Sequence, residues 1–266
     1  MSKARKNRYT QIIERIFFSY YKEGAREISF EREDIQRAAK ELAIKLPKNF
    51  GDVIYSFRYR VMLPESIRAK APQGEMWVIR PAGRARYSFE LAINQPITPN
   101  ELLSETKVPD ATPGLVAKYL LKDEQALLAK VRYNRLIDVF TGVTCYSLQN
   151  HLRTTTKSLG QIETDEVYVG VDKRGAHYVF PVQAKGRIDK LSIVQIEQDM
   201  AMCKEKFPSL ICRAIGARFI EDNLIALFLF EEGEKGVSLS VEKHYRLVLP
   251  DEVTNEDLNV YLTRPL

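Results

Sequence analysis

Cysteine and histidine are scarce in this 266-residue sequence, which has three of each. The cysteines are far apart and form no CxxC pair, so neither a disulfide framework nor a structural zinc site is indicated. The histidines are equally scattered. This usage favours a reducing compartment, and we expect a cytoplasmic protein. The residues concerned are Cys145, Cys203 and Cys212, and His151, His177 and His244.

Long apolar runs are also missing. The longest, Leu224–Phe230, is far too short to cross a bilayer, so we expect no transmembrane helix and no membrane partner. The apolar stretch behind the basic N-terminus is interrupted by Glu14 and Arg15, which argues against a signal peptide. Neither a phosphate-binding loop nor a dinucleotide fingerprint nor a Ser-His-Asp order is visible. These absences disfavour NTPase, dehydrogenase and serine hydrolase functions.

Positive charge is concentrated in the first third of the chain. Residues 1–93 contain 19 Lys and Arg against 11 Asp and Glu, a surplus of +8. The remainder contains 21 against 24, or −3, and the two values sum to the net charge of +5. A basic segment joined to a slightly acidic one is typical of a nucleic-acid-binding module attached to a second domain. The alternative is a basic surface that serves only solubility.

The basic segment has the pattern of three helices. Apolar residues at helical spacing predict a first helix over about 8–22. Ser29 is a suitable N-cap for a second helix, and Asn49 for a third. The short turn between the last two helices, together with exposed basic residues on the third, is typical of a helix-turn-helix.

Two strands follow, at about 75–80 and 84–91, with a turn at 81–83. Three arginines cluster at this hairpin, as a wing that contacts phosphate would require. We therefore predict a winged-helix DNA-binding domain over 1–93, whose alternative is an exposed basic hairpin without a partner. The predicted DNA-contacting residues are Lys48, Tyr55, Arg58, Arg60, Arg80, Arg84 and Arg86.

Residues 94–113 are rich in Pro, Asn, Thr and Ser, which predicts a linker with a short helical turn near 101–105. A second domain is predicted over 114–266. Its pattern indicates a long helix at 122–140, a short helix at 146–152 and a β-hairpin at 163–185. An amphipathic helix over 193–207 and two strands follow, and this α-β-β-α-β-β order predicts an α/β (α+β) fold, a sheet flanked by helices.

The hairpin at 163–185 brings together residues suited to phosphodiester hydrolysis. If its turn is centred near Arg174, Asp165 lies almost opposite Ala184, and Gln183 and Lys185 share one face of their strand. A hard cation takes oxygen ligands, which the side chains of Asp165 and Gln183 and the carbonyl of Ala184 can supply. The cation activates a water molecule. Lys185 then orients that water or stabilises charge on the phosphate.

The segment from Gly160 to Asp165 and the Gln183-Ala184-Lys185 triplet resemble the PD-(D/E)XK nucleases, the restriction-endonuclease-like superfamily. The resemblance covers about 160–207 and extends weakly over 115–235. It implies a restriction-endonuclease-like core with a mixed sheet and Mg²⁺-dependent cleavage of DNA. Asp165 matches the family's aspartate and Lys185 its lysine.

Two positions depart from the family pattern. Gln183 stands where the family usually has an acid, and Thr164 stands where it often has proline. The lost charge could be restored by Glu163, or by Glu124 or Asp138 from the preceding helix. His151 and Arg153 could contact phosphate or cap a helix. Gln195 and Asp199 are expected on the solvated, polar side of the helix over 193–207. The alternative is that they support the site.

These features predict a type II restriction endonuclease that uses Mg²⁺ to cut double-stranded DNA. We expect a homodimer, because cutting both strands of a symmetric site asks for two active sites related by a two-fold axis. One rival is a non-catalytic winged-helix transcription regulator with a C-terminal dimerisation or sensor domain. Another is a repair or junction nuclease of the same fold.

Overall fold

The computed structural model describes residues 7–59, 61–83, 85–93, 97–121, 123–157, 159–187, 189, 191–233 and 236–264. The chain divides into two compact units. The first comprises Met1–Pro96 and Thr155–Gln161, and the second Ile97–Thr154 and Ile162–Leu266. No helix within the described ranges combines the length and hydropathy that crossing a bilayer requires.

The first unit packs helices against a small antiparallel sheet of order β1-β3-β2. Its core is rich in aromatic residues, and the ring of Phe17 lies edge-on to Trp77 and Phe89 at centroid distances of 5.2 and 5.1 Å. Such pairs add to the stability gained by burying the rings. The elements are α1 (Arg8–Tyr20), β1 (Glu27–Glu31), α2 (Arg32–Glu41), α3 (Asp52–Tyr59), α4 (Glu65–Arg68), β2 (Glu75–Pro81) and β3 (Arg86–Ile93).

The prediction that Ser29 caps the second helix is wrong. Ser29 lies within β1, where Ile28 and Phe30 are buried and their neighbours are exposed. That alternation is a strand signal of period two. α2 begins after Glu31, whose backbone N–H donates to the carboxylate of Asp34 at 2.8 Å. α3 begins at Asp52 rather than at Asn49, whose side-chain amide donates to Asp52 at 3.0 Å.

The second unit is built on a mixed sheet of order β4-β11-β10-β9-β7-β6-β5, with β8 paired to β7. Pairs β4–β11, β7–β8 and β7–β9 are parallel, while β6–β7, β9–β10 and β10–β11 are antiparallel. The prediction of a mixed α/β (α+β) fold is confirmed at this level. The strands are β4 (Glu105–Pro109), β5 (Thr144–Thr156), β6 (Gly160–Val171), β7 (His177–Lys185), β8 (Ile211–Cys212), β9 (Ala214–Glu221), β10 (Leu224–Gly233) and β11 (Gly236–Val248).

Helices cover both faces of this sheet. Alternate residues of β10 point to opposite sides, so Ile225 and Leu227 join one apolar cluster and Ala226 and Phe228 the other. The first cluster includes residues of α6 and α7, and the second includes Ile196 and Met200 of α8. The helices are α5 (Gly114–Tyr119), α6 (Glu124–Tyr133), α7 (Leu136–Thr141), α8 (Ile193–Lys206) and α9 (Asn255–Thr263), with a 3-10 turn at Pro250–Glu252.

Several boundaries in this unit differ from the sequence prediction. The helix predicted at 146–152 is wrong, because these residues lie in β5, whose place beside β6 overrides a weak helical pattern. The predicted helix at 122–140 is two helices, broken where Arg135 takes the left-handed conformation with φ of 49°. Residues 105–109 of the predicted linker form β4, which pairs with the distant β11.

Gly170 of β6 marks a close approach between strands. A Cβ there would lie 2.7 Å from the side chain of Val143 and 2.9 Å from the sulfur of Cys145. We expect Gly170→Ala to lower the free energy of unfolding by about 1–3 kcal/mol through overpacking. Gly114→Ala is the matched control, since a Cβ there meets nothing within 4 Å. Urea denaturation of both variants measures the difference, and equal stability would contradict this account of Gly170.

Candidate metal-dependent active site

Strands β6 and β7 separate at the predicted site. Their ladder runs from Val171↔His177 to Glu166↔Val182. Beyond that pair, side chains bridge the two strands. The carboxylate of Asp165 accepts the backbone N–H of Ala184 at 2.8 Å, and the side-chain amide of Gln183 donates to the carbonyl of Glu163 at 3.2 Å.

Lys185 lies at the end of β7, on the same side as this opening. Its side chain is only 12% exposed, and its ammonium lies 3.6 Å from the carboxylate of Glu124. Glu124 is the first residue of α6, which Asp123 caps by accepting the backbone N–H of Ala126 at 2.9 Å. The helix start therefore brings one of the two predicted helix carboxylates to Lys185.

Gln183 is buried, and both N–H groups of its amide are bonded. Its amide nitrogen donates to Asp199 at 2.8 Å, and its oxygen accepts from Gln195 at 3.4 Å. Asp199 also accepts from the hydroxyl of Thr164 at 2.6 Å. The expectation of a solvated face for Gln195 and Asp199 is therefore wrong. Gln195 and Asp199 are four residues apart and therefore share one side of α8, which faces β7. Each directly precedes a buried apolar residue of the helix, Ile196 and Met200.

Three carboxylates around this opening share one electrostatic condition. Burial raises the pKa of Asp165, although the charge of Lys185 and the N–H of Ala184 oppose the shift. Burial also raises the pKa of Glu124, and repulsion from Asp165 adds to the shift. Burial raises the pKa of Asp199 to about 7. Burial thus disfavours the charged forms of these carboxylates, and a cation bound beside them would favour those forms.

The oxygen atoms at this opening suit a hard cation. Across the described ranges, no three His, Cys, Asp or Glu side chains form a ready-made metal cluster. Asp165 and Glu124 nevertheless supply two carboxylates, and Gln183 an amide oxygen. The amide oxygen of Gln195 is buried and has no hydrogen-bond partner among the described residues. Carboxylate and amide oxygens of this kind fit Mg²⁺ with water completing its coordination. The backbone N–H of Ala184 is bonded to Asp165, and the carbonyl of Ala184 stays a predicted cation ligand.

The other predicted residues of this unit have different surroundings. Glu163 forms an ion pair with Arg153 at 3.0 Å. His151 hydrogen-bonds to the side chain of Gln125 at 2.9 Å, and its proximity opposes in small part the rise in the pKa of Asp165 that burial causes. Asp138 accepts the backbone N–H of Cys145 at 3.0 Å and pairs with Arg135, so these contacts hold the start of β5.

The predicted DNA-contacting residues that the structure describes lie on α3, on the β2–β3 hairpin or near them. Lys48, Tyr55 and Arg86 are exposed, and Arg58 is half-buried. Arg80 forms an ion pair with Glu90 at 2.9 Å, so its charge is already balanced within the hairpin. Arg60 and Arg84 lie outside the described residues.

Comparison of the chain with protein-family models, curated proteins and solved structures found no match.

Asp199 gives a pH-dependent prediction for stability. Its carboxyl binds a proton more tightly in the folded protein, where its pKa is about 7, than in the unfolded chain, where it is near the ordinary 3.8. Stability from this group is therefore present below about pH 4 and falls as pH rises to 7. We expect Asp199→Asn to remove that fall, a gain on the order of 2–4 kcal/mol relative to wild type between pH 4 and 8.

Urea denaturation with a chelator present, at intervals from pH 4 to 8, measures this difference. Asparagine keeps the size of the side chain and can still bond to Gln183 and Thr164. A constant difference between variant and wild type across the range would contradict the assignment.

Proposed function

We propose that this protein is a Mg²⁺-dependent endonuclease that cuts double-stranded DNA, similar to the PD-(D/E)XK nucleases. One observation carries the proposal: Asp165, Lys185 and Glu124 converge where β6 and β7 separate, and Gln183 stands between the two strands. Carboxylates whose pKa values are raised by burial, set beside a lysine, are typical of a functional site.

Each residue has a distinct task in this proposal. Asp165 and Glu124 hold the cation through carboxylate oxygens, and Gln183 contributes its amide oxygen. When bound by these residues, the cation would supply Lewis acidity, which polarises a phosphate and lowers the pKa of a water molecule. Lys185, held against Glu124, places its ammonium to orient that water and to stabilise the charge that develops on the phosphate. The N–H of Ala184 fixes the carboxylate of Asp165 in its orientation.

The first unit supports a role in binding the duplex. The order of its helices and strands and its β1-β3-β2 sheet support the proposal of a winged helix, to which the short α4 would be an addition. In this proposal α3 enters the major groove with Tyr55 and Arg58, and the β2–β3 hairpin places Arg86 against phosphate. The surplus of +8 in residues 1–93 supplies the attraction.

We further propose a homodimer with one active site for each DNA strand. The three cysteines are free thiols, which supports the proposed cytoplasmic setting.

Lys185→Ala tests the catalytic proposal. We expect Mg²⁺-dependent cleavage of duplex DNA to fall by at least about 100-fold, because an ammonium at the reacting phosphate is lost. The control is Lys204→Ala, which removes an exposed lysine of α8 that is paired with Glu232. This variant should cleave DNA as wild type does. The measurement is the rate of cleavage of a plasmid and of short linear duplexes.

If wild type and Lys185→Ala leave all DNA intact while binding it tightly, the protein is the transcription regulator and not a nuclease. Cleavage of branched but not linear duplexes would assign the junction-nuclease function instead.

Lys48→Ala tests the DNA-binding role of the first unit. In a Lys185→Ala background, which leaves the DNA intact, we expect weaker binding to all duplex sequences. The slope of log K against log salt should fall by about 1, as for one lost phosphate contact. Lys22→Ala removes an exposed lysine outside α3 and the hairpin and serves as the control. Equal salt slopes for both variants and the parent would exclude Lys48 from the interface.

A further inference from the structure

Gln183 is the position where the candidate site departs most from an all-acid ligand set. A neutral amide there binds a cation more weakly than a carboxylate would, because it brings no charge. The structure places a buried carboxylate directly against this amide. Asp199 is 1% exposed and accepts from the amide nitrogen of Gln183 at 2.8 Å.

The contact fixes the orientation of the amide. With its nitrogen turned toward Asp199 and toward the carbonyl of Glu163, Gln183 must direct its oxygen elsewhere. That oxygen faces Gln195, whose own amide oxygen is buried without a partner among the described residues. The oxygen of Gln183 is thereby turned away from Asp199, and beside it the oxygen of Gln195 is without a partner among the described residues.

The contact also changes the electronic character of the amide. A carboxylate that accepts an amide N–H draws positive charge onto the nitrogen and leaves more negative charge on the oxygen. Hydrogen bonds behind a metal ligand raise its basicity in this way, and their loss costs about 10–100-fold in metal affinity. The effect is strong here because the pair is shielded from water.

We propose that Asp199 is a positioning residue that supplies, through Gln183, the negative charge that the amide lacks as a cation ligand. The inference rests on the proposed function, since it assigns Asp199 to the same cation site. Asp199 does not touch the cation. It acts by orienting and polarising the amide, and Thr164 holds its second oxygen at 2.6 Å.

This arrangement can be tested by exchanging the acid and the amide. Gln183→Glu alone brings two buried carboxylates together at a contact of 2.8 Å. Adding Asp199→Asn restores one acid and one amide in contact, with the acid now at the cation. The exchange leaves the number of charges and the sizes of the side chains almost unchanged.

The experiment is a titration of the full-length protein with Mn²⁺ at pH 8, followed by electron paramagnetic resonance of the free ion. The variants are Asp199→Asn, Gln183→Glu and the double variant. Glu166→Gln is the matched control, because Glu166 is a fully buried carboxylate on β6 that bonds to Arg132 instead of Gln183. Thermal unfolding followed by circular dichroism establishes that each variant is folded.

We expect Asp199→Asn to weaken Mn²⁺ binding by about 10-fold or more, with the double variant regaining wild-type affinity within about 3-fold. Gln183→Glu alone should have a lower Tm without Mn²⁺ than wild type, and Mn²⁺ should raise it. The Glu166→Gln control should bind Mn²⁺ as wild type does.

Three results would overturn the inference while the nuclease stands. One is wild-type Mn²⁺ affinity in Asp199→Asn, another is a double variant no better than Asp199→Asn, and the third is an equal loss in Glu166→Gln. If the wild-type protein neither binds Mn²⁺ nor cuts DNA, the proposed function and this inference fail together.

Discussion

The separation of β6 from β7 after the pair Glu166↔Val182 is the constraint on which the candidate site depends. Two parted strands leave backbone groups without ladder partners, and buried groups of that kind need replacements. Side chains supply them, because the carboxylate of Asp165 accepts the N–H of Ala184 and the amide of Gln183 donates to the carbonyl of Glu163. The same two side chains that close the gap are the predicted cation ligands, so their positions are fixed by the backbone itself.

The two faces of β6 treat buried negative charge differently. Glu166 points to one face, where Arg132 bonds to it at 2.9 Å and the hydroxyl of Ser147 also donates to it. On the other face, the charge of Lys185 acts on Asp165 and Asp199 and favours their ionised forms, but burial raises the pKa of both carboxyls. An arginine therefore neutralises the buried Glu166, whose role is structural. Asp165 and Asp199, at the proposed catalytic face, have raised pKa values instead.

Local patterns predicted part of this architecture and missed the rest. The strand β7 and the helix α8 lie close to their predicted places, because period-two and helical spacing are strong in 177–185 and 193–207. Strand β4 was hidden in a proline-rich stretch, since its only signal is pairing with β11. The prediction of a solvated Asp199 is wrong because it follows from the polar side of the helix alone, whereas the partners of Asp199, Gln183 and Thr164, come from other elements.

The parallel pairing of β4 with β11 also sets an order of events in the assembly of the second unit. Glu105, near the start of the unit, is paired in register with His244 and forms an ion pair with Arg246. Both partners lie on β11, near the end of the chain. Contacts between such distant parts of a chain are slow to form. During synthesis β10 must wait with one edge open until β11 emerges from the ribosome, and open strand edges recruit other chains. The strand made last among those described is thus the one that covers the open edge of β10.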